Sequence, residues 1–306
     1  MLGAQGNVKE IMTTKNHKTV SLVLGSGGAR GLAHIGVIHW LEENGFKIES
    51  ISGCSVGALI GGIYAAGKLD DFESWVLSLS KVDIVTSLDL SWKKSGLVKG
   101  DKIINTLTEL VGDVVIEDLP IAYTAVAVDI LNEKEVWMNS GKLFEAIRAS
   151  ISLPLLFTPF RYKNVDLIDG GVLNPVPIAP TFNDETDFTV AVNLGGKLDN
   201  KEKVSTNNDS ENENKSSFTR KFIEFVESLK DSTTSHNSEG WGAYDIANQA
   251  FDVMQSTIAR QKLAAYPADH FIEIARNACG ILEFDRASEM IELGYKMAQE
   301  RLGEVS

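Results

Sequence analysis

Ile48-Glu49-Ser50-Ile51-Ser52-Gly53-Cys54-Ser55-Val56-Gly57-Ala58-Leu59-Ile60-Gly61-Gly62 is the stretch on which the reading of this chain turns. Ile48 to Ser52 is an extended run, and the residues beyond Gly57 are small or helix-forming. Between them Gly53-Cys54-Ser55-Val56-Gly57 has the G-x-S-x-G spacing of a nucleophile elbow. The spacing has a steric origin. A serine on a tight strand-to-helix turn presents its hydroxyl, and the two glycines leave no Cβ where strand and helix crowd together. The helix that follows points free N–H groups and its positive dipole end at anything bound to Ser55. Five residues recur by chance, so the rest of the chain must supply a base and an oxyanion site.

Composition narrows the setting. The chain has 306 residues, 43% of them hydrophobic, enough to bury the core of one large domain or two small ones. Asp and Glu number 42 against 29 Lys and Arg, a net charge of -13. That balance argues against nucleic acid as a partner and against bulk attraction to an anionic membrane. Two cysteines, Cys54 and Cys279, make no disulfide framework and fit a reducing compartment. Met1 to Lys18 is polar and lacks the apolar core of a secretory signal. No run reaches the ~18 apolar residues of a membrane-spanning helix. The expected location is cytoplasmic, with peripheral contact at a membrane surface left open.

Upstream of the elbow, Val20 to Leu24 is a strand-like apolar run. It ends in Gly25-Ser26-Gly27-Gly28-Ala29-Arg30-Gly31, and a helical pattern follows from Leu32 to Glu43, closed by Asn44-Gly45. Strand, glycine loop, helix, strand, elbow, helix is a β-α-β-α alternation, which predicts a parallel sheet covered by helices. Downstream, helices are predicted over Leu69 to Ser80, Asp101 to Leu110 and Lys142 to Ser150. Strands are predicted over Ile121 to Ile130, Glu135 to Met138, Val165 to Ile168 and Phe188 to Asn193. Lys81 to Lys99 reads as an irregular connector or a cap over the site. Four segments result: a loose leader at 1–18, a core at 19–196, a polar insertion at 197–240, and 241–306. Asn, Asp, Glu, Lys and Ser dominate the insertion, which is expected to be disordered apart from an amphipathic helix over Phe218 to Leu229. The last segment, with a helix from Ala243 to Ala265, a strand from Phe271 to Ile274 and a helix from Asp285 to Leu302, is expected to complete the core domain, because a lone strand needs a sheet to join.

A serine hydroxyl attacks only with a base to take its proton and donors to hold the oxyanion. The 25–31 loop is the candidate donor, since glycines let backbone N–H groups turn toward a developing negative charge. The competing dinucleotide pattern G-x-G-x-x-G fails because Arg30 stands at its third position. Arg30 is expected to brace the loop, with contact to a phosphoryl headgroup as the other reading. For the base, the order Ser55, Asp169, His270 matches an α/β-hydrolase triad. Ser55 nevertheless follows only two strands, and His270 opens one. Asp169 alone is the stronger candidate. It ends a strand before Gly170-Gly171, where desolvation beside the elbow would raise its pKa and make it a better base.

Jointly, the blocks at 25–31, 53–57 and Asp169-Gly170-Gly171 resemble the patatin-like phospholipases, closest to the bacterial branch related to the neuropathy target esterase type. Ala33-His34-Ile35-Gly36-Val37, Arg148-Ala149-Ser150-Ile151-Ser152-Leu153-Pro154 and Asn174-Pro175-Val176-Pro177 agree with it. The resemblance spans about 20–196 and resumes near 241–303. It implies a three-layer α/β/α sandwich around a mainly parallel sheet. It also implies a Ser55–Asp169 dyad without histidine, an oxyanion site at Gly27 and Gly28, and a lipid ester substrate. Gly25, Arg30, Gly31, Gly53, Gly57, Gly170 and Gly171 would support these groups. No metal or cofactor is implied. Two alternatives share the fold: a lipid acyltransferase, and a non-catalytic adaptor that binds a protein partner through 197–240.

Overall fold

The computed structural model of the protein describes residues 17–80, 98–199 and 243–305. Residues 1–16 of the expected 1–18 leader, residues 81–97 of the 81–99 connector and nearly all of the 197–240 insertion, with its Phe218–Leu229 helix, lie outside the described residues. Lys18, assigned to the leader, is the first residue of a strand.

Among the described residues eight strands form one sheet. They are β1 (Lys18–Leu24), β2 (Phe46–Cys54), β3 (Ala122–Asp129), β4 (Lys134–Met138), β5 (Phe160–Tyr162), β6 (Val165–Asp169), β7 (Phe188–Gly196) and β8 (His270–Ala275). The helices are α1 (Ala33–Glu43), α2 (Val56–Ala65), α3 (Leu69–Ser78), α4 (Asp101–Val111), α5 (Leu143–Ser150), α6 (Ala243–Ala265) and α7 (Ala287–Leu302). β1 lies between β2 and β7, parallel to both, and β3 and β8 extend the parallel set outward. β4 and β6 pair antiparallel with β3, and β5 pairs antiparallel with β6. The sheet is thus mostly parallel with an antiparallel flank.

Alternation along the strands decides the layers. Leu22, Leu24, Ile51, Val190, Val192 and Ile272 belong to the large core beneath α1, α2 and α7. Val23 and Ala191, which point the other way, pack against Ala259 of α6. Covering both faces leaves Val20 to Leu24 of β1 buried, which is why that stretch reads as an apolar run interrupted only by Ser21. This is the expected three-layer arrangement. β8 pairs with β7 in the same sheet. No helix among the described residues is long and apolar enough to cross a membrane.

Two local expectations needed adjustment. β5 was not foreseen, because three residues carry too little periodicity. A 3-10 turn at Gly28–Leu32 precedes α1, where a helix was expected from Leu32.

α1 and α7 touch backbone to backbone. A Cβ on Gly36 would lie 1.9 Å from the Ile291 carbonyl oxygen, and one on Gly294 would lie 1.9 Å from that of Ala33. Neither helix backbone can give way without moving its whole layer. Gly36→Val is therefore expected to cost about 3 kcal/mol or more of stability. Urea unfolding would check this, and a midpoint equal to wild type would refute the close crossing.

Candidate active site

The site is made where two strands meet end to end. Ala125 and Val126 of β3 pair with β2 and with β4, so these partners occupy opposite edges. Ala127 to Asp129 pair with β4 and with β6. A strand has two edges, so β6 takes over the edge that β2 leaves. β2 ends on it at Cys54 opposite Val126, and β6 arrives from the other direction at Asp169 opposite Ala127. Distant parts of the sequence become neighbours through one shared strand.

Ser55 follows Cys54 and holds φ 56° and ψ −126°. For a residue with a Cβ this left-handed region costs about 1–3 kcal/mol. The conformation turns the side chain away from capping α2 and toward β6, where Oγ donates to Asp169 Oδ2 at 2.5 Å. The Ser55 N–H donates to Ser150 Oγ at 2.8 Å, and that hydroxyl donates to the Val126 carbonyl at 2.6 Å. Ser150 therefore ties the elbow to β3. Its role was not read from the sequence, though the residue lies in the Arg148–Pro154 run quoted there. The glycines leave room for the corner: a Cβ on Gly57 would sit 2.1 Å from the Leu24 carbonyl oxygen, and one on Gly170 would sit 2.2 Å from that of Val126. Gly53, one residue before the strand end, pairs with Leu24 and Ala125.

Asp169 is fully buried. Burial pushes its carboxyl up to about 6, against hydrogen bonds from Ser55, Gly171 and Cys54 that pull it down. Gly171 N–H donates to Oδ1 at 2.7 Å, and the Cys54 thiol lies 3.9 Å from the same oxygen. Asp166, two strand positions from Ile168, instead pairs with Arg161 at 2.8 Å.

The glycine loop lies alongside. Gly25 N–H donates to Val192 O, Ser26 N–H to Pro175 O and Ala29 N–H to Ile281 O. The N–H groups of Gly27 and Gly28 have no acceptor among the described residues. Arg30 is buried, with Nε donating to Gly27 O at 3.0 Å, one terminal nitrogen to Arg276 O at 2.6 Å and the other to Asp252 at 3.2 Å. All of its contacts are internal. Gly31 packs against the Val56 side chain, so loop and elbow are in contact.

Among the described residues no histidine is hydrogen-bonded to the serine. His34 Nε2 donates to Gly25 O at 2.9 Å, and burial lowers its pKa to about 4. It braces the loop as a neutral ring. His270 pairs in register with Val190, which is level with Leu22 and Ile51. Ser55 is four residues further along, on the order of 13 Å, and three strands across, on the order of 14 Å. The triad reading fails on that placement. His39 pairs with Glu73 at 2.6 Å between α1 and α3, with Asp70 beside them.

Above Ser55 opens a cavity of about 870 Å³, counting its mouth. Phe72, Trp75, Leu107, Phe157, Ile281 and Leu282 are among its walls. Apart from the Ser55 hydroxyl and the Trp75 indole N–H, its lining among the described residues has no polar side-chain group. The arrangement can hold a hydrocarbon chain against a hydroxyl that is hydrogen-bonded to a buried acid.

Residues 22–182 match the family model for patatin-like phospholipases. The chain belongs to this family. As a patatin-like protein it is 36% identical over 332 residues to an uncharacterised NTE family protein of Mycobacterium bovis, covering 92% of this chain and 91% of that one. It is 31% identical over 192 residues to lysophospholipase NTE1 of Scheffersomyces stipitis, covering 60% of this chain and 12% of that much longer one. VipD from Legionella pneumophila aligns at 15% identity with a TM-score of 0.46, over 93% of this chain and 66% of that one, too distant to carry an argument.

Proposed function

We propose that this patatin-like protein is a serine lipid acyl hydrolase. Ser55 is its nucleophile, Asp169 its base, and the Gly27 and Gly28 N–H groups its oxyanion donors. The observation that carries the reading is the 2.5 Å hydrogen bond from Ser55 Oγ to a buried carboxylate, made at the floor of an apolar cavity. Family membership and the lysophospholipase relatives support a lipid ester as the substrate class.

The geometry supports the following steps. The acyl chain of the substrate lies in the cavity and brings its carbonyl carbon to Ser55 Oγ. As Oγ attacks, its proton passes to Asp169 Oδ2. The carbonyl oxygen takes the electron pair and faces the free N–H groups of the glycine loop. Collapse of this intermediate expels the alcohol oxygen, which leaves with the proton from Asp169. Water then enters, gives a proton to Asp169 and adds to the acyl-serine. A second collapse releases the fatty acid and returns the proton to Ser55. A carboxylate raised to about 6 is a stronger base than an ordinary one and is still ionised at neutral pH.

The test is labelling with a fluorophosphonate, which phosphonylates an activated serine. One label per chain, mapped by mass spectrometry to Ser55, is expected for the folded protein. Folded protein that leaves Ser55 unlabelled would overturn the assignment. A panel of phospholipids and lysophospholipids would then fix the preferred ester.

A further inference from the structure

The loop after β8 lies beyond the 22–182 segment that matches the family model, yet it builds part of the site. Ile281 O accepts the Ala29 N–H at 2.8 Å, and Arg276 O accepts Arg30 at 2.6 Å. The two contacts lie just C-terminal to Gly27 and Gly28 and fix the direction of that turn. Gly28 holds φ +59°, and a Cβ there would meet Ile281 O at 2.6 Å. The same loop then turns its side chains to the cavity. Ile281, Leu282 and Phe284 line it beside Ser55. Ile281 and Leu282, together with Leu153 and Leu156, also line a second cavity that reaches Asn248 of α6. These four side chains therefore form an apolar partition with open space on both sides.

The geometry points to Ile281 and Leu282 as the residues that set acyl-chain length, on a loop that also positions the oxyanion turn. Deepening the lipid hydrolase reading, this inference rests on it. A chain that outgrows the first cavity must pass this partition or stop at it. A core residue would have neighbours on all sides and little influence on substrate. A partition between two cavities has its main contact with whatever fills them.

Leu282→Trp adds bulk to the partition without touching the glycine turn. Initial rates with p-nitrophenyl butyrate and p-nitrophenyl palmitate, alongside thermal melts, test the proposal. The kcat/KM for palmitate is expected to fall at least about tenfold further than that for butyrate, the size of discrimination that a hydrophobic pocket gives for lost methylene contacts. Ile281→Ala and Leu282→Ala, which open the partition, are expected to move the ratio the other way. Equal losses on both esters, or an unchanged ratio in all three variants, would overturn the role in chain length while leaving the hydrolase reading intact. If Leu282→Trp fails to fold, the two alanine variants decide the question by the same ratio. Wild-type protein that is folded and cleaves neither ester would instead defeat the hydrolase reading, and this inference with it.

Discussion

Ser55→Ala is expected to lower ester hydrolysis by about 10⁴-fold or more, the loss that follows when a nucleophile acting within a unit is removed. The circular dichroism spectrum should persist, because the corner is held by Ser150, by the close approach of Gly57 and Gly170, and by strand pairing. Ser55→Gly should be equally inactive but more stable than Ser55→Ala by about 1 kcal/mol or more. Both variants lose the same hydroxyl, and both leave Asp169 without that donor. They differ in the Cβ that makes φ 56° costly. Activity and the difference between the two melting curves thus report separate properties of one residue. Substantial turnover in either variant would remove Ser55 from the chemistry. Equal stability would mean that the corner is not strained.

Asp169→Asn is expected to lower kcat by about 10³-fold or more, since an amide cannot accept the serine proton. In the wild type, kcat/KM should rise about tenfold per pH unit up to about 6 and level off above, following ionisation of Asp169. His34 does not confuse this assignment, because its pKa lies near 4. Stability should run the opposite way. The folded state holds the Asp169 proton more tightly than the unfolded chain, about 6 against an ordinary 3.8. That contribution is complete below about pH 4 and is lost as pH rises through 6. Above that, the buried carboxylate costs on the order of 3 kcal/mol relative to its protonated form. Asp169→Asn removes an ionised group from the interior, so at pH 8 it should be at least as stable as wild type while inactive. Melting curves at pH 5 and pH 8, beside a pH–rate profile, check both halves. A profile without an inflection near 6 would deny Asp169 the role of base.

Much of the site was legible in the chain because its parts are local. Gly53 to Gly57 encode a corner through steric need, and the 25–31 loop encodes flexible backbone donors within a few residues. Asp169-Gly170-Gly171 was legible as a strand end with a tight turn. The failure of His270 as a partner was foreshadowed by strand count, but only register put it several residues below Ser55 and three strands away. Ser150 and Ile281 gave no usable signal. One acts through a single hydroxyl shared between two backbone groups, the other through a carbonyl that every residue possesses.

By itself the sequence determined the class of fold, through largely apolar strand runs alternating with helical patterns, and it determined which serine stands at a corner. Tertiary structure alone decided how Asp169, already the candidate base in the sequence, is brought to that serine. Two strands running in opposite directions share one edge of β3 and end at adjacent residues, Val126 and Ala127. Local propensity carries no information about that pairing, because it arises when a distant segment fills the backbone hydrogen bonds that β2 leaves open.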